Sequence, residues 1–198
     1  MADKGHQVLP IDVSEEAVAF ARSLGLPAKQ TDIFGVSDTA FDGILFIQSL
    51  HHISPLDQSL AQVALLLDKG GFVLVEDFAF NKMDEKTAVW FQAVQNILAA
   101  TGIDAFHRID VDKAFAHLMN HYSEHGIHTG EELIRALRNV FRKVEISEGA
   151  PYLYRYFVQK MESRAEGCDL IKAIFDWEGF QIEKGFMRPV GFRAIGFK

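Results

Sequence analysis

The chain has 198 residues, of which 48% are hydrophobic and 24% charged, so it is long enough for one domain with a sizeable core. Its 20 basic and 27 acidic residues give a net charge of −7, which argues against a nucleic acid or a membrane surface as partner. No apolar run reaches the roughly 18 residues of a membrane span, and the first residues lack a signal-peptide pattern, so we expect a cytoplasmic protein. The single cysteine, Cys168, excludes an internal disulfide.

The first predicted elements are a short strand and a short helix. Residues 8–11 form an apolar run that ends at Asp12, and Ser14 is a typical N-cap for a helix that ends near Gly25. Apolar side chains at helical spacing predict one buried stripe, formed by Ala17, Phe20, Ala21 and Leu24. A second short strand is predicted at residues 28–31, directly before Asp32.

The central part of the chain predicts a strand, a helix and a second strand. Residues 41–48 and 70–75 are apolar runs of strand length, and apolar residues recur at helical spacing between them. Because strands that are apolar at consecutive positions are covered on both faces, this unit predicts a parallel sheet in an α/β domain. Ligands bind at the carboxyl ends of such strands. The polar residues expected there are Ser49, His51, His52, Glu76 and Asp77.

The second half of the chain is mainly helical in its pattern. Helices are predicted around residues 90–98, 115–122, 129–140 and 163–178. Strands are predicted at residues 142–147, 152–159 and 190–197. Thr129 with Glu132 has the spacing of a capping box that opens the third helix. In the second strand, alternation would place Tyr152, Tyr154 and Tyr156 on one face.

Several motifs in consecutive order resemble those of a class I S-adenosylmethionine-dependent methyltransferase. They are Gly5 to Ser14, Asp32-Ile33, Phe41-Asp42 with Ser49 to His52, and Gly70-Gly71 with Val75 to Phe78. Residues 125–128, 151–156 and 188–193 resemble the C-terminal half of a bacterial small-molecule subgroup. The resemblance implies a Rossmann-like α/β sheet in a single domain over residues 1–198, with a helical insertion at about residues 79–140. The implied cofactor is S-adenosylmethionine.

One departure from this family concerns the beginning of the chain. Family members open with a strand and a Gly-rich loop at the cofactor, and this sequence starts at what resembles the following helix, so the fold is predicted to be N-terminally truncated. The absent strand is a central one, and unpaired buried backbone groups cost about 1–3 kcal/mol each. We therefore expect a strand from another chain, a re-paired sheet, or an upstream segment outside this sequence. Strand sharing would make the protein a homodimer.

The resemblance implies cofactor-binding roles for five residues. Asp12 would accept hydrogen bonds from the two ribose hydroxyls, with Val13 beside it, and Asp32 would accept from the adenine amino group. Ile33 would pack on the adenine face, and Gln48 would line the cofactor from the next strand end. Ordinary turn capping is the alternative role for Asp12, and an exposed loop position is the alternative for Asp32.

Two residues are candidate catalytic groups, His52 and Asp77. Methyl transfer to an amine or thiol needs little proton transfer, whereas a phenol or alcohol must lose its proton to a base. His51, His52 or Asp77 is placed to be that base. The alternative is that one of the two histidines packs as a helix cap or in the core.

Four further histidines cluster between residues 117 and 128. His117 and His121 have the i, i+4 spacing that can bind zinc, but structural zinc sites usually include cysteine and the only one lies far along the chain, so we predict no metal site. His125 and His128 are the better candidates for a substrate pocket. We expect that pocket to be roofed by residues from about Trp90 to His128.

Two functions from different classes fit these observations. The first is S-adenosylmethionine-dependent methyl transfer to a small-molecule substrate. The second is a methyltransferase-like protein that has lost cofactor binding and serves as a dimeric interaction or scaffold module. The absent Gly-rich loop is the feature that distinguishes them, since a chain without it has lost part of the usual cofactor site.

Overall fold

The computed structural model describes residues 2–37, 40–102, 106, 108–161 and 167–198, with helices packed on a mixed sheet. The strands are β1 Ile11–Asp12, β2 Lys29–Gln30, β3 Phe41–Ile47, β4 Leu67–Phe78, β5 Lys143–Glu148 and β6 Gly191–Phe197. The helices are α1 Glu15–Ser23, α2 Leu56–Leu66, α3 Glu85–Ala100, α4 Ala114–Glu124, α5 Gly130–Val140, α6 Arg155–Met161 and α7 Gly167–Glu183. None of the described helices is long and apolar enough to cross a membrane.

The main sheet has four strands in the order β3-β4-β6-β5. β3 and β4 run parallel with Ile44 opposite Val73, so the predicted strand–helix–strand unit is confirmed. β6 lies antiparallel between β4 and β5. Helix α2, which connects the two parallel strands, packs against α5 over the main core. The sheet is of the α/β type that the sequence predicts.

The first two strands form a separate sheet. β1 pairs in parallel with β2, and β3 pairs with β4, but no hydrogen-bonded pairing joins β1 to β3 among the described residues. Of the three repairs that the sequence left open, the re-paired sheet is therefore not formed by the described residues. Ile11 packs against the main core, and Ile33 and Val36 are buried in it. Side-chain burial thus holds this unit beside the sheet without backbone pairing.

Helix α1 has the predicted cap but not the predicted burial. Ser14 accepts a hydrogen bond from the backbone N–H of Ala17 at 3.2 Å, as an N-cap should. Phe20 and Leu24, predicted to be buried, are 66% and 63% exposed, and Val18 is the buried residue of the helix. The prediction of the buried stripe is wrong because no described element packs on that face of the helix.

A second hydrophobic core lies among the later helices. Phe91 and Leu98 of α3, Leu118 of α4, Phe157 of α6 and Ile174 of α7 all belong to it. The capping box of α5 is confirmed, with reciprocal hydrogen bonds between Thr129 and Glu132. The strand predicted at residues 152–159 is wrong, because residues 152–154 form a loop and α6 begins at Arg155. The cause is a buried carboxylate on α7, described below.

Candidate active site

Polar side chains collect where β3 and β4 end. β3 is followed by Gln48, whose φ of 55° turns the chain, and then by a turn of 3-10 helix at Leu50–His52. The backbone N–H of Gln48 still donates to the carbonyl of Glu76 on β4, at 2.8 Å. Because β3 and β4 are parallel neighbours, their carboxyl ends lie at the same edge of the sheet. This edge brings together His51 and Asp77, as the sequence predicts.

Asp77 pairs with His51 rather than with His52. Its Oδ1 lies 2.7 Å from Nδ1 of His51, and Asp77 is fully buried while His51 is 7% exposed. The backbone N–H groups of His51 and Phe78 also donate to the Asp77 carboxylate, at 3.1 and 2.9 Å. The ring N–H of His51 is therefore the donor in the shared bond, which leaves Nε2 as the proton acceptor. This Asp–His pair fixes both the tautomer and the orientation of the imidazole.

His52 has a different environment. Its ring centroid lies 4.1 Å from that of His51, and the side chain is exposed. Burial, followed by the neighbouring His51, lowers the pKa of His52, and the Asp77 carboxylate opposes that shift. The sequence correctly places His52 at this edge, but the structure shows no hydrogen bond from its ring to orient it among the described residues.

Aromatic rings surround the Asp–His pair. The ring of Phe78 contacts His51 edge-on at 5.0 Å and stacks on Tyr152 at 5.4 Å between centroids. Burial and the Asp77 charge raise the pKa of Tyr152 far above its usual value, so the hydroxyl stays protonated. Burial likewise raises the pKa of Tyr122, which packs against Phe78, to about 12.

The loop that carries Tyr152 is held by Glu178 of α7. Oε1 of Glu178 accepts from the backbone N–H groups of Tyr152 and Leu153 at 2.7 and 2.9 Å, and Oε2 accepts from Tyr154 at 2.8 Å. The side chain is 1% exposed. A carboxylate that satisfies three consecutive backbone donors removes the need for a strand partner. This is why residues 152–154 form a loop although their side chains alternate like a strand.

A cavity of about 420 Å³ lies over this edge of the sheet. Its walls are formed by residues at the ends of β3 and β4, by the helices α3, α4 and α6, and by the loop before α6. The lining residues are Gln48, His51, His52, Phe78, Phe91, Gln92, Gln95, Ile109, His117, Leu118, His121, Tyr122, Tyr152, Leu153, Arg155, Tyr156 and Lys160. The lining residues of α3 and α4 fall within the roof predicted at about residues 90–128. The volume suits a small organic molecule.

Neither of the two histidines predicted for the substrate pocket lines this cavity. His117 and His121 line it, whereas His125 and His128, which the sequence favoured, do not. His125 bonds through Nδ1 to the carbonyl of His121 at 2.8 Å, and the backbone N–H of His128 donates to the carbonyl of His51 at 2.9 Å. These bonds hold both residues in place outside the cavity lining. Within the described ranges no three His, Cys, Asp or Glu side chains are arranged to hold a metal.

The residues predicted to bind the cofactor divide into two groups. Gln48 lines the cavity, whereas Asp12, Val13, Asp32 and Ile33 do not. Asp12, the last residue of β1, and Asp32, two residues after β2, are both exposed. Asp12 accepts from the backbone N–H of Ser14 at 2.8 Å, and Asp32 accepts from those of Phe34 and Gly35 at 3.0 Å. The capping role of Asp12 and the exposure of Asp32 agree with the alternatives stated above, and each residue bonds through Oδ1 of its carboxylate.

Val13 and Ile33 differ in their access to a ligand. Val13 is 70% exposed beside Asp12, whereas Ile33 is 7% exposed and belongs to the main core. A buried Ile33 has little surface to offer an adenine ring. The exposed carboxylates of Asp12 and Asp32 can accept the hydrogen bonds that ribose hydroxyls and an adenine amino group donate. These two residues therefore fit the cofactor, whereas Ile33 does not.

Sequence reasoning missed several functional features of the site. Arg155 lines the cavity and forms an ion pair with Glu76, which also pairs with Arg193 at 2.5 Å. The role of Glu178 was also missed, since it lies 24–26 residues beyond the backbone groups that it binds. The alternating tyrosines were the available signal for the cavity wall, but they indicated the wrong secondary structure.

Comparisons with known proteins agree with the fold. Residues 1–75 match the family model described as a methyltransferase domain. No curated relative matches the chain by sequence. A S-adenosylmethionine-dependent methyltransferase from Archaeoglobus fulgidus is 15% identical with a TM-score of 0.54, and the match covers 100% of this chain and 78% of that one.

Two further solved structures show the range of chemistry on this fold. The plantazolicin methyltransferase BpumL, solved with S-adenosylhomocysteine, is 16% identical with a TM-score of 0.52, and the match covers 97% of this chain and 66% of that one. The [4+2]-cyclase SpnF is 18% identical with a TM-score of 0.51 and the same coverage of 97% and 66%. Likeness at this level establishes the fold, and the reaction must be argued from the site.

Proposed function

Since the chain has the fold of the class I S-adenosylmethionine-dependent methyltransferases, and its first 75 residues match the methyltransferase domain, we propose that it transfers a methyl group from S-adenosylmethionine to a small-molecule acceptor. The acceptor would bind in the cavity that His51 lines. When bound, the cofactor would supply an electrophilic methyl carbon, and the electron pair of the broken carbon–sulfur bond would stay on sulfur.

We assign the cofactor to the two exposed carboxylates at the end of β1 and just after β2. Asp12 would accept from the ribose hydroxyls, with Val13 beside it, and Asp32 from the adenine amino group. Gln48 would lie between the cofactor and the acceptor, because it follows the end of β3 and lines the cavity. Ile33 is left out of this assignment because it is buried in the core.

The Asp77–His51 pair is the observation that carries the proposal. Its Nδ1–Oδ1 distance of 2.7 Å fixes the ring so that Nε2 is the nitrogen available to a molecule in the cavity. A base in this position would take the proton of an acceptor hydroxyl as the oxygen forms its bond to carbon. Asp77 stabilises the imidazolium that results. The aromatic walls would contribute by orienting the acceptor.

Titration calorimetry of the 198-residue protein with S-adenosylmethionine and S-adenosylhomocysteine tests this function. We expect a saturable heat with both ligands, and a weaker one for the double variant Asp12→Asn/Asp32→Asn. The exposed pair Glu15→Gln/Glu16→Gln on α1 is the matched charge control, and its affinity should equal that of the unchanged protein. Absence of heat at millimolar ligand would contradict the enzyme function.

One observation favours the second candidate, an interaction module without cofactor. In the described part of the chain neither β1 nor β3 has a partner on its outer side, and Val13, Phe20 and Leu24 are more than half exposed. Unpaired strand edges and exposed apolar side chains are features of protein-binding surfaces. This candidate predicts no heat with either ligand and a dimer in solution.

A further inference from the structure

We propose that Gln95 selects acceptors that carry a second hydroxyl group, which donates a hydrogen bond to its Oε1, an inference that rests on the proposed methyl transfer. Gln95 belongs to α3, lines the cavity and is 8% exposed. A row of amide side chains fixes which atom of Gln95 is directed away from the helix interior. The position of His51 on another element then requires that the group bound by Gln95 is not the reacting hydroxyl.

The row of amides begins at a backbone segment. Nδ2 of Asn96 donates to the carbonyl of Ile109 at 2.8 Å, and Oδ1 of Asn96 accepts from the backbone N–H of Ile109 at 3.1 Å. A backbone carbonyl only accepts and a backbone N–H only donates, so these two bonds fix which end of the Asn96 amide is oxygen. Ile109 therefore sets the direction of the whole row.

This direction passes from Asn96 through Gln92 to Gln95. Nε2 of Gln92 donates to Oδ1 of Asn96 at 3.0 Å, so the other end of this amide, Oε1, is the one that meets Gln95. Nε2 of Gln95 lies 3.5 Å from that oxygen. The opposite orientation of the Gln95 amide would bring two carbonyl oxygens together. Gln95 therefore turns its nitrogen to Gln92 and leaves its oxygen for the cavity.

Oε1 of Gln95 is able to accept from a ligand. Within the described part of the chain, the side chain of Gln95 makes the one long bond to Gln92, and it makes it through nitrogen. The unpartnered polar atoms that are fully enclosed among the described residues belong to Ser59, Trp90 and Arg155, so Oε1 of Gln95 keeps access to the cavity. A largely buried carbonyl oxygen without a donor costs free energy, and a carbonyl oxygen can accept two hydrogen bonds. A hydroxyl group that donates to it is therefore favoured.

His51 and Gln95 act on different groups of the same molecule. His51 lies in the turn after β3, whereas Gln95 lies on α3, and both line the cavity. The proposed methyl transfer places the reacting hydroxyl at Nε2 of His51, which takes its proton. One hydroxyl group has one proton to donate. The hydroxyl that donates to Gln95 is consequently a second one, at a distance from the first.

Aromatic rings lie beside both polar groups. Phe78 and Tyr152 stack on each other next to His51. Phe91, which meets Tyr156 edge-on at 5.1 Å, lies one helical turn before Gln95 and lines the cavity. Rings at these separations favour offset or edge-on contacts with a further ring. The substrate class that results is a phenol with a second hydroxyl group on a substituent of its ring.

Matched alcohols and methyl ethers test the second hydrogen bond without any cofactor. The alcohols are 4-(hydroxymethyl)phenol, 4-(2-hydroxyethyl)phenol and 4-(3-hydroxypropyl)phenol, which differ in reach, and each is compared with the methyl ether of its alkyl hydroxyl. The ether keeps the ring and the oxygen but cannot donate. In calorimetry with the 198-residue protein, we expect at least one alcohol to bind about three- to tenfold more tightly than its ether. Equal affinities within all pairs would overturn the proposal.

Glutamine variants locate the effect. Gln95→Met keeps a similar volume without the amide, so it should lower the affinity for the favoured alcohol about three- to tenfold and leave that for its ether unchanged. Gln58→Met, at an exposed position of α2 outside the cavity lining, is the matched control and should change neither affinity. Gln95→Leu is a second variant with the same expected result, and circular dichroism confirms the fold of each. A preference for the alcohol that survives in the Gln95 variants would overturn the proposal.

Failure of this inference is distinguishable from failure of the proposed function. Acceptor binding is measured without S-adenosylmethionine, and cofactor binding is measured without acceptor. If cofactor heat is observed but alcohols and ethers bind equally, the methyltransferase proposal stands and the role of Gln95 is wrong. If the alcohols are preferred through Gln95 and the cofactor does not bind, the selectivity of the cavity stands and the methyl transfer is wrong.

Discussion

The carboxylate of Asp77 lies 2.7 Å from Nδ1 of His51, and both side chains are buried at the ends of neighbouring parallel strands. An amide in place of the carboxylate presents a different donor pattern to the imidazole, so the tautomer with a free Nε2 is no longer favoured. We expect Asp77→Asn to reduce the rate of methyl transfer to a hydroxyl acceptor about 10²- to 10⁴-fold. S-adenosylhomocysteine affinity should be retained.

His52→Gln is the matched control for the base assignment. His52 lies beside His51 but does not pair with Asp77, so its loss should reduce the rate far less than Asp77→Asn. Rates are compared by following S-adenosylhomocysteine release, and circular dichroism confirms the fold of both variants. If His52→Gln proves as damaging as Asp77→Asn, His52 rather than His51 is the base.

Glu178→Gln should destabilise the protein and loosen the cavity wall. The amide nitrogen of glutamine would face at least one of the three backbone N–H groups that Glu178 now satisfies. Loss of a buried acceptor costs about 1–3 kcal/mol of unfolding free energy, which urea denaturation measures. Glu183→Gln, at the exposed end of the same helix, is the control and should cost under about 0.5 kcal/mol. Equal stability of both variants would contradict the proposed role of Glu178.

Gly191 provides a test of how tightly Tyr152 is packed. A Cβ atom at Gly191 would lie 2.5 Å from Cβ of Tyr152, so Gly191→Ala forces the tyrosine or the strand to move. We expect a loss of about 1–3 kcal/mol in urea denaturation, together with weaker acceptor binding. At Gly179 in α7 the nearest atom is 3.4 Å away, and Gly179→Ala should gain up to about 1 kcal/mol from helix propensity. If Gly191→Ala is as stable as the unchanged protein, Tyr152 is not tightly packed against residue 191.

Acidification should destabilise the protein through two histidines at the cavity. Burial lowers the pKa of both His52 and His121 from the usual 6.5, with His51 and His125 respectively adding to the shift. The negative charge of Asp77 opposes the lowering of the His52 pKa, and that of Glu124 opposes the lowering of the His121 pKa. The folded state then binds fewer protons than the unfolded state as pH falls below about 6.5, so stability is full above that pH and declines below it.

The double variant His52→Gln/His121→Gln isolates this effect. Without the two groups, the unfolding free energy should fall less between pH 7.5 and pH 5.5 than in the unchanged protein, as urea denaturation at each pH will show. An equal decline in both proteins would assign the acid sensitivity to other groups.

The expected homodimer remains a prediction. β3 has no described partner on its outer side, where Leu45 and Ile47 are 36% and 44% exposed. Light scattering should give about twice the 22.2 kDa chain mass, and Ile47→Lys should shift it towards the monomer, since a lysine on an edge strand opposes pairing. Val89→Lys, on α3, is the control and should leave the mass unchanged. A monomer at every concentration, or equal effects of both variants, would contradict strand sharing.

The sequence predicts the local structure well where short-range chemistry determines it. The caps at Ser14 and Thr129 form as predicted, because each bonds within three residues. The parallel pairing of β3 with β4 follows from two buried apolar runs joined by one helix. The same pairing places His51 and Asp77 at one edge of the sheet. The part of the candidate site at the strand ends could therefore be predicted from the sequence.

Long-range contacts explain what the sequence could not predict. Tyr152 and Tyr154 alternate like strand residues, but a carboxylate from α7 binds their backbone and α6 starts at Arg155. Whether His51 or His52 pairs with Asp77 depends on the geometry of the turn after β3. The identities of the two adjacent histidines do not reveal that geometry. Phe20 of α1 was predicted to be buried because its spacing indicates a packing face, but spacing does not reveal whether a neighbour is present.

The three hydrogen bonds of Glu178 show how substitutions away from the cavity could change which acceptors it binds. The tyrosine-bearing loop takes its position from α7, so substitutions on the buried side of that helix can reshape the acceptor site without contacting any acceptor. Specificity can therefore evolve at positions that a survey of cavity residues alone would overlook. Directed evolution of new substrates should accordingly include α7 from the first round.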